Sequence, residues 1–544
     1  MEVSVIGKSQ AKIGGVDLGA RELGFFNSKV DSKNFSSKSK IYFVRSSKFE
    51  SSRIRFSTKA VQMEPVQSQN VAVGRRSKSV ITHGILLTIL QLDGVKLYVG
   101  LPLDAVSTCN TVNHSRAIAA GLRALKLLGV EGVELPVWWG IAEKEAMGKY
   151  EWSGYLALAE MVQNAGLKLH VSLCFHASNQ PRIPLPEWVS KIGESEPNIY
   201  FTDRYGQQFK DCLSLSVDNV PVLNEKTPIQ VYREFCESFK SSFSNLMGST
   251  ISGISMSLGP DGELRYPSQR QLKSHGVGEF QCYDENMLSH LKQHAEAGGN
   301  PLYGLGGPHD APSYNETPDS NNFFKDHGGS WESHYGDFFL SWYSSELIAH
   351  GDRLLSLASS VFSDIEATIH GKVPLMHSWY KTRSHPSELT AGFYNTANRD
   401  GYETVAEMFA RNSSKMILPG MDLSDQHRPQ ESLSSPESLI AQIKSASRKH
   451  GVMLAGQNSS DSGAPGGFDR IKNNLEGESV ELFTYQRMGA YFFSPEHFPS
   501  FAEFVRSVHQ PELHSDDLPV DEEEEEAVET SLASSVPEAQ MQAA

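Results

Sequence analysis

The chain reads as an α/β protein whose parallel strands close into a (β/α)8 barrel of the TIM type, with long loops at the C-terminal face of the strands. Three observations predict it. Apolar runs rich in β-branched residues alternate with helical patterns from Val95 onward, and eight such runs can be counted. No glycine-rich phosphate loop follows the first run, as it would in an open dinucleotide-binding sheet. Periodicity alone leaves an open doubly wound sheet as the alternative.

The strand candidates are 95–101, 130–138, 168–175, 251–258, 372–378, 415–421, 452–457 and 482–487. Amphipathic helices are expected between them, among others at 114–127, 229–247 and 436–449, where apolar residues recur every three to four positions. Two connections, about 176–228 and about 264–335, are long for a compact domain, and such loops carry function or small elements of their own. In a barrel of this kind the chemistry sits where the strands end at the C-terminal face. Those positions read His176, Glu263, His377, Gln457 with Asn458, and Arg487.

The 544 residues, 39% hydrophobic and 21% charged, have the composition of a globular protein, and one barrel with long loops accounts for most of them. A net charge of −16 argues against a nucleic-acid or anionic-membrane surface, both of which want a basic footprint. The five cysteines are scattered with no CxxC pair, which points to reduced thiols. Residues 1–60 hold twelve Lys/Arg against five Asp/Glu together with twelve serines, the pattern of an organelle transit peptide. Residues 61–94 read as a linker containing an apolar piece within 81–92, too short to span a bilayer. The barrel is expected over 95–510. Beyond it, 511–544 carries the acidic run 521–526 and reads as a solvated tail.

The most informative string is SLGPDGELRYPS at 257–268, directly after the fourth strand. It sends Glu263 into the barrel mouth, where apolar walls would raise its pKa and let it protonate a leaving oxygen. On its own, such a glutamate is more often a salt-bridge or capping residue. His176 and His377 read in isolation as hydrogen-bonded polar groups of the mouth, and Lys372 and Arg487 as salt-bridge partners. The pair Trp138-Trp139 serves packing or sugar stacking, with packing favoured for at least one ring.

Together with GVGEFQCYD (276–284), VWWGIAE (137–143), GGPHDAPSYN (306–315), GGSWESHYGDFFLSWYS (328–344), KVPLMHSWYK (372–381), ELTAGFYNTANRDGY (388–402) and AGQN (455–458), this string resembles the β-amylases. The resemblance runs in consistent order over roughly 95–510. It implies a (β/α)8 enzyme that releases maltose from the non-reducing ends of α-1,4-glucans with inversion, which needs one carboxylic acid and one carboxylate base across the scissile bond. By resemblance Glu263 takes the acid's position, and His176, Lys372, His377, Asn458, Ser459 and Arg487 take sugar-binding positions.

Four departures stand against activity. The family's AGEN motif is Ala455-Gly456-Gln457-Asn458 here, and an amide can hydrogen-bond a water without taking its proton. General-base catalysis is worth roughly 10²–10⁴-fold. The family's glycine-rich lid after the strand-three histidine is replaced by Ala177-Ser178-Asn179-Gln180-Pro181-Arg182, which is shorter and lacks the lid aspartate. A substrate-binding aspartate falls on Pro136 and an inner-loop threonine on Pro419, and neither proline offers a side-chain hydrogen bond. The resemblance therefore implies an inactive β-amylase-like protein of the plastid, regulating starch metabolism through a glucan or another starch-metabolising enzyme. The alternative is a weakly active β-amylase in which Asp422 or a water relay replaces the base. No metal cluster, nucleotide loop or nucleophilic triad is legible, so no cofactor is expected.

Overall fold

The computed structural model describes residues 94–509 apart from 270–275, 460–465 and 478, so the expected leader (1–60), the apolar piece within 81–92 and the acidic tail (511–544) lie outside the described residues. The eight strands are β1 (Lys96–Gly100), β2 (Gly132–Trp138), β3 (Lys168–Cys174), β4 (Ile251–Met256), β5 (Thr368–Lys372), β6 (Lys415–Leu418), β7 (Leu454–Gln457) and β8 (Val480–Tyr485). Every neighbouring pair is parallel, and β8 pairs back onto β1 through Lys96↔Leu482 to Val99↔Tyr485, which closes the barrel. A helix follows each strand: α1 (Ser115–Leu128), α2 (Ser153–Asn164), α3 (Pro228–Ser242), α4 (His334–Val361), α5 (Tyr402–Arg411), α6 (Pro436–Lys449), α7 (Gly467–Leu475) and α8 (Phe498–His509).

Local chemistry explains several boundaries. Thr227 and Gln230 form a reciprocal capping box at the start of α3, with Pro228 at the first helical position, where no N–H is needed. The helix expected at 229–247 stops at Ser242, where Phe243 leaves the helical region of backbone space. Pro136 is tolerated inside β2 because β1 pairs with β2 only over Gly132–Glu134. The Glu134 carbonyl accepts from Leu101 N–H on that side, so the N–H that Pro136 lacks would face the same side beyond the end of β1.

One strand lies elsewhere than expected. The run at 372–378 is not β5; the strand is Thr368–Lys372, and the apolar residues after it form the exit loop, anchored by Val373 N–H on the Ile417 carbonyl. The long connections do carry elements of their own. After β3 come a two-stranded hairpin (Ser178–Asn179 with Arg182–Ile183), a helix (Glu187–Ser195) and a second hairpin (Tyr200–Thr202 with Gln208–Leu213). After β4 come a turn at Pro260–Gly262 and a helix at Glu285–Ala297.

The outer core between strands and helices is aliphatic and aromatic. Trp139, fully buried after β2, meets Phe175, Trp188 and Tyr232 edge-on at 5.4–5.9 Å between ring centroids. The barrel interior is different. Barrels of this type are usually filled with branched aliphatics, whereas here Glu134, His170, Ser255 and His370 are all buried inside the ring of strands. His170 shares a hydrogen with Ser255 Oγ at 2.6 Å and meets the His370 ring edge-on at 4.6 Å. Burial pushes His170 down to about 4, and His370 falls well below the ordinary histidine range for the same reason, so both histidines of the layer are neutral.

Candidate active site

Above that layer a cavity of about 90 Å³ opens at the C-terminal mouth, bordered by Pro136, His176, Lys372, Gln457 and Arg487 together with Glu134, Ser172, Cys174, Asp261 and Gln486. The structure thus gathers five of the sequence-predicted positions around one space. It is small beside the roughly 300–1,000 Å³ typical of a ligand pocket.

Gln457, the last residue of β7, is 5% exposed and borders the cavity, while its carbonyl accepts from Met421 N–H. Its amide supplies a donor and an acceptor but no proton sink. Pro136 borders the cavity one strand layer above Glu134, where a hydrogen-bonding side chain is absent.

Glu263 is seven residues past the end of β4 rather than on the strand, carried there by the Gly259–Gly262 turn, in which Asp261 adopts a left-handed φ of 54°. An isolated parallel bridge joins it to Lys372 at the end of β5. The expected apolar walls are absent. Arg265 Nε donates to Glu263 Oε2 at 2.8 Å, and Lys372 Nζ stands 3.3 Å from Oε1, so each carboxylate oxygen faces a cation. Arg265, 4% exposed, also donates to Asp261 at 2.5 Å. Burial alone would raise Asp261, but Arg265, His176 and Lys372 hold it below the usual carboxylate range.

The other positions have defined partners. His176 donates through Nδ1 to the Ala177 carbonyl (2.9 Å), packs against Trp138 at 5.2 Å between rings, and is lowered by burial. His377 lies five residues past β5, hydrogen-bonded to Ser434 Oγ at 2.7 Å, and does not border the cavity. Neither does Asn458: its Nδ2 donates to the carbonyls of Ser459 (3.0 Å) and Gln486 (2.9 Å), and its Oδ1 accepts from Gln486 N–H (2.6 Å). Ser459 gives both its N–H (2.5 Å) and its hydroxyl (2.7 Å) to the Asp422 carboxylate. Asp422 borders a different depression, with Arg470 and Asp469, so a substitute base there would be pinned and displaced from Gln457. Pro419 sits just after β6, away from the cavity lining.

Arg487, after β8, donates through Nη1 to the Leu101 carbonyl at 2.7 Å and through Nη2 to Gln486 Oε1, and lies 3.8 Å from Glu134. Glu134, 7% exposed, accepts from Ser172 Oγ at 2.7 Å and from Gln486 Nε2 at 2.5 Å. Burial would push its pKa up, but Arg487, Ser172, His170 and Gln486 together hold it down. Sequence reading missed Glu134 and Gln486. The available signal was a glutamate at an inward position of a strand buried on both faces, which must find a charged partner.

The profile of glycosyl hydrolase family 14 matches residues 98–512. The chain belongs to this family. It is similar to "Inactive beta-amylase 9" of Arabidopsis thaliana, 60% identical over 539 residues and covering 98% of each chain. It is also similar to "Beta-amylase 1, chloroplastic" of the same plant, 42% identical over 434 residues and 76% of each chain. The crystal structure of the catalytic domain of a β-amylase from Paenibacillus polymyxa superposes with a TM-score of 0.65 at 26% identity, covering 77% of this chain and 99% of that one. The closed eight-stranded barrel is therefore the family 14 fold. Within it, the family 14 mouth of this chain keeps Glu263 between two cations and puts an amide at Gln457. Among the described residues no group of three or more His, Cys, Asp or Glu could hold a metal ion.

Proposed function

We propose that the chain is a non-hydrolytic member of the β-amylase family that acts in starch metabolism as a regulator, through a glucan or a partner protein. The observation that carries the reading is Gln457. Inverting hydrolysis needs a carboxylate that takes a proton from water, and the residue bordering the cavity at that position is an amide. The carboxylates nearby are committed: Glu134 to Ser172 and Gln486, Asp261 to Arg265, and Asp422 to Ser459. The relative named as inactive, at 60% identity, supports the same reading. His176, Lys372 and Arg487 still border the cavity, which supports weak glucan contact, with an α-1,4-glucan or another starch-metabolising enzyme as partner. The basic, serine-rich residues 1–60 and a relative named chloroplastic favour the plastid. The formal charge of −16 gives no reason to invoke nucleic acid, and among the described residues no helix is long and apolar enough to cross a membrane. No cofactor is invoked.

Maltose release from soluble starch, measured beside an active β-amylase, tests the reading. The expected trace is flat. Steady turnover that disappears in Glu263→Ala would overturn it and establish a weakly active enzyme with an unrecognised base.

A further inference from the structure

We propose that Glu134 sets the sugar affinity of the barrel mouth by holding Arg487 and Gln486 in a closed ring on the cavity floor. This rests on the reading of Arg487 as a glucan contact and names what controls that contact. Glu134 stands in a layer where such barrels usually carry a branched aliphatic, and a buried carboxylate persists only when it is paired and hydrogen-bonded. Here the pairing is complete. Gln486 donates to Glu134 at 2.5 Å and accepts from Arg487 Nη2, Ser172 donates to the other carboxylate oxygen at 2.7 Å, and Arg487 lies 3.8 Å from Glu134.

The neighbouring strand makes room for the ring. β1 ends on Gly100, where a Cβ would stand 3.0 Å from Arg487 Nη1 and 3.2 Å from Glu134 Oε2. Those are contacts tighter than side chains normally tolerate, so the glycine leaves space for this pair.

The ring decides what Arg487 can offer. One end of its fork is spent on the Leu101 carbonyl and the other on Gln486, with Glu134 behind. A sugar hydroxyl would have to displace one of these two hydrogen bonds, and it would meet a cation whose field is already opposed by the Glu134 carboxylate 3.8 Å away. Arg487 is therefore a retained cation whose charge is already answered inside the protein. Glu134 is a positioning residue in this scheme, since it acts on a ligand only through Arg487 and Gln486.

The test is calorimetric titration of maltose into the full chain. Glu134→Gln keeps the shape and removes the charge, and it is expected to tighten maltose binding by roughly tenfold, because the Arg487 charge is then no longer opposed by a carboxylate 3.8 Å away. In an Arg487→Gln background the same substitution is expected to give no gain. Glu134→Asp withdraws the carboxylate by one methylene and is expected to give a smaller gain. A folded Glu134→Gln or Glu134→Asp protein that binds maltose no tighter than wild type overturns the proposal, as does a gain that persists in the Arg487→Gln background. Loss of fold in both variants also counts against it, because the ring would then be a stability element. Maltose release by the wild-type protein would refute the non-hydrolytic reading and leave the ranking of affinities untouched, so the two failures are distinguishable.

Discussion

The neutral histidine layer under the cavity makes a quantitative demand on stability. In the unfolded chain His170 takes up a proton as pH drops through its ordinary value of 6.5, while in the folded barrel it stays neutral down to about 4. Between those values the unfolded state binds more protons, so the folded state loses stability on acidification. At about 1.4 kcal/mol per pH unit, the loss from His170 alone is about 3 kcal/mol by pH 4. Asp284 pulls the other way. Burial pushes it up to about 6, so the folded state takes up its proton before the unfolded state does, and acidification toward 4 is stabilising there. Asp284 offsets part of the loss, while His370, His176, Glu134 and Asp261 add to it, which is why a difference measurement is needed. His170→Gln keeps a partner for Ser255 and removes the titration. Urea unfolding of both proteins, followed by tryptophan fluorescence from pH 7 to 4.5, should show the stability gap shifting in favour of His170→Gln by about 2 kcal/mol as pH falls. A gap constant to within about 1 kcal/mol over that range would refute the claim that His170 is buried neutral beside His370.

Three further outcomes are expected. Gln457→Glu alone should leave maltose release from soluble starch below roughly a hundredth of an active relative's rate, because Glu263 remains between two cations and Pro136 and the hairpin after His176 are unchanged; near-normal turnover would show those features to be unimportant. Arg265→Met removes a buried cation from between Asp261 and Glu263 and should cost about 3 kcal/mol, read as a lower urea midpoint, whereas an unchanged midpoint would mean Lys372 suffices. Gly140→Ala would place a Cβ 1.9 Å from the Pro184 carbonyl oxygen, so backbone must move; a loss of at least about 2 kcal/mol is expected in the same assay, and wild-type stability would contradict the close approach.

Much of this molecule can be read from its residues, and the failures have physical causes. Apolar runs located seven strands because a parallel strand covered on both faces is nearly continuous in apolar residues. The exception is β5, where Thr368-Ile369-His370-Gly371-Lys372 turns polar or small residues toward the polar interior and looks nothing like a core strand. The apolar segment after it drew the assignment four to six residues too far along, and with it the position of His377. Around the site, motif order brought Pro136, His176, Lys372, Gln457 and Arg487 to one cavity. Asn458, Ser459 and Pro419 lie as close to their strand ends without bordering it, and Asn458 and Ser459 are consumed in local hydrogen bonds. Salt-bridge roles for Glu263 and Lys372 were legible but their pairing was not: Arg265 is two residues away, whereas Lys372 arrives from a strand more than a hundred positions later.

The Asn458 amide spans the exits of β7 and β8, with donors on two carbonyls and its acceptor on the Gln486 N–H. The two strand exits are thereby fastened to each other at Asn458 and Gln486. Because Asn458 directly follows Gln457 and Gln486 directly precedes Arg487, a displacement of either exit strains the hydrogen bonds to the other, so the centre of the mouth and its edge are joined through one side-chain amide.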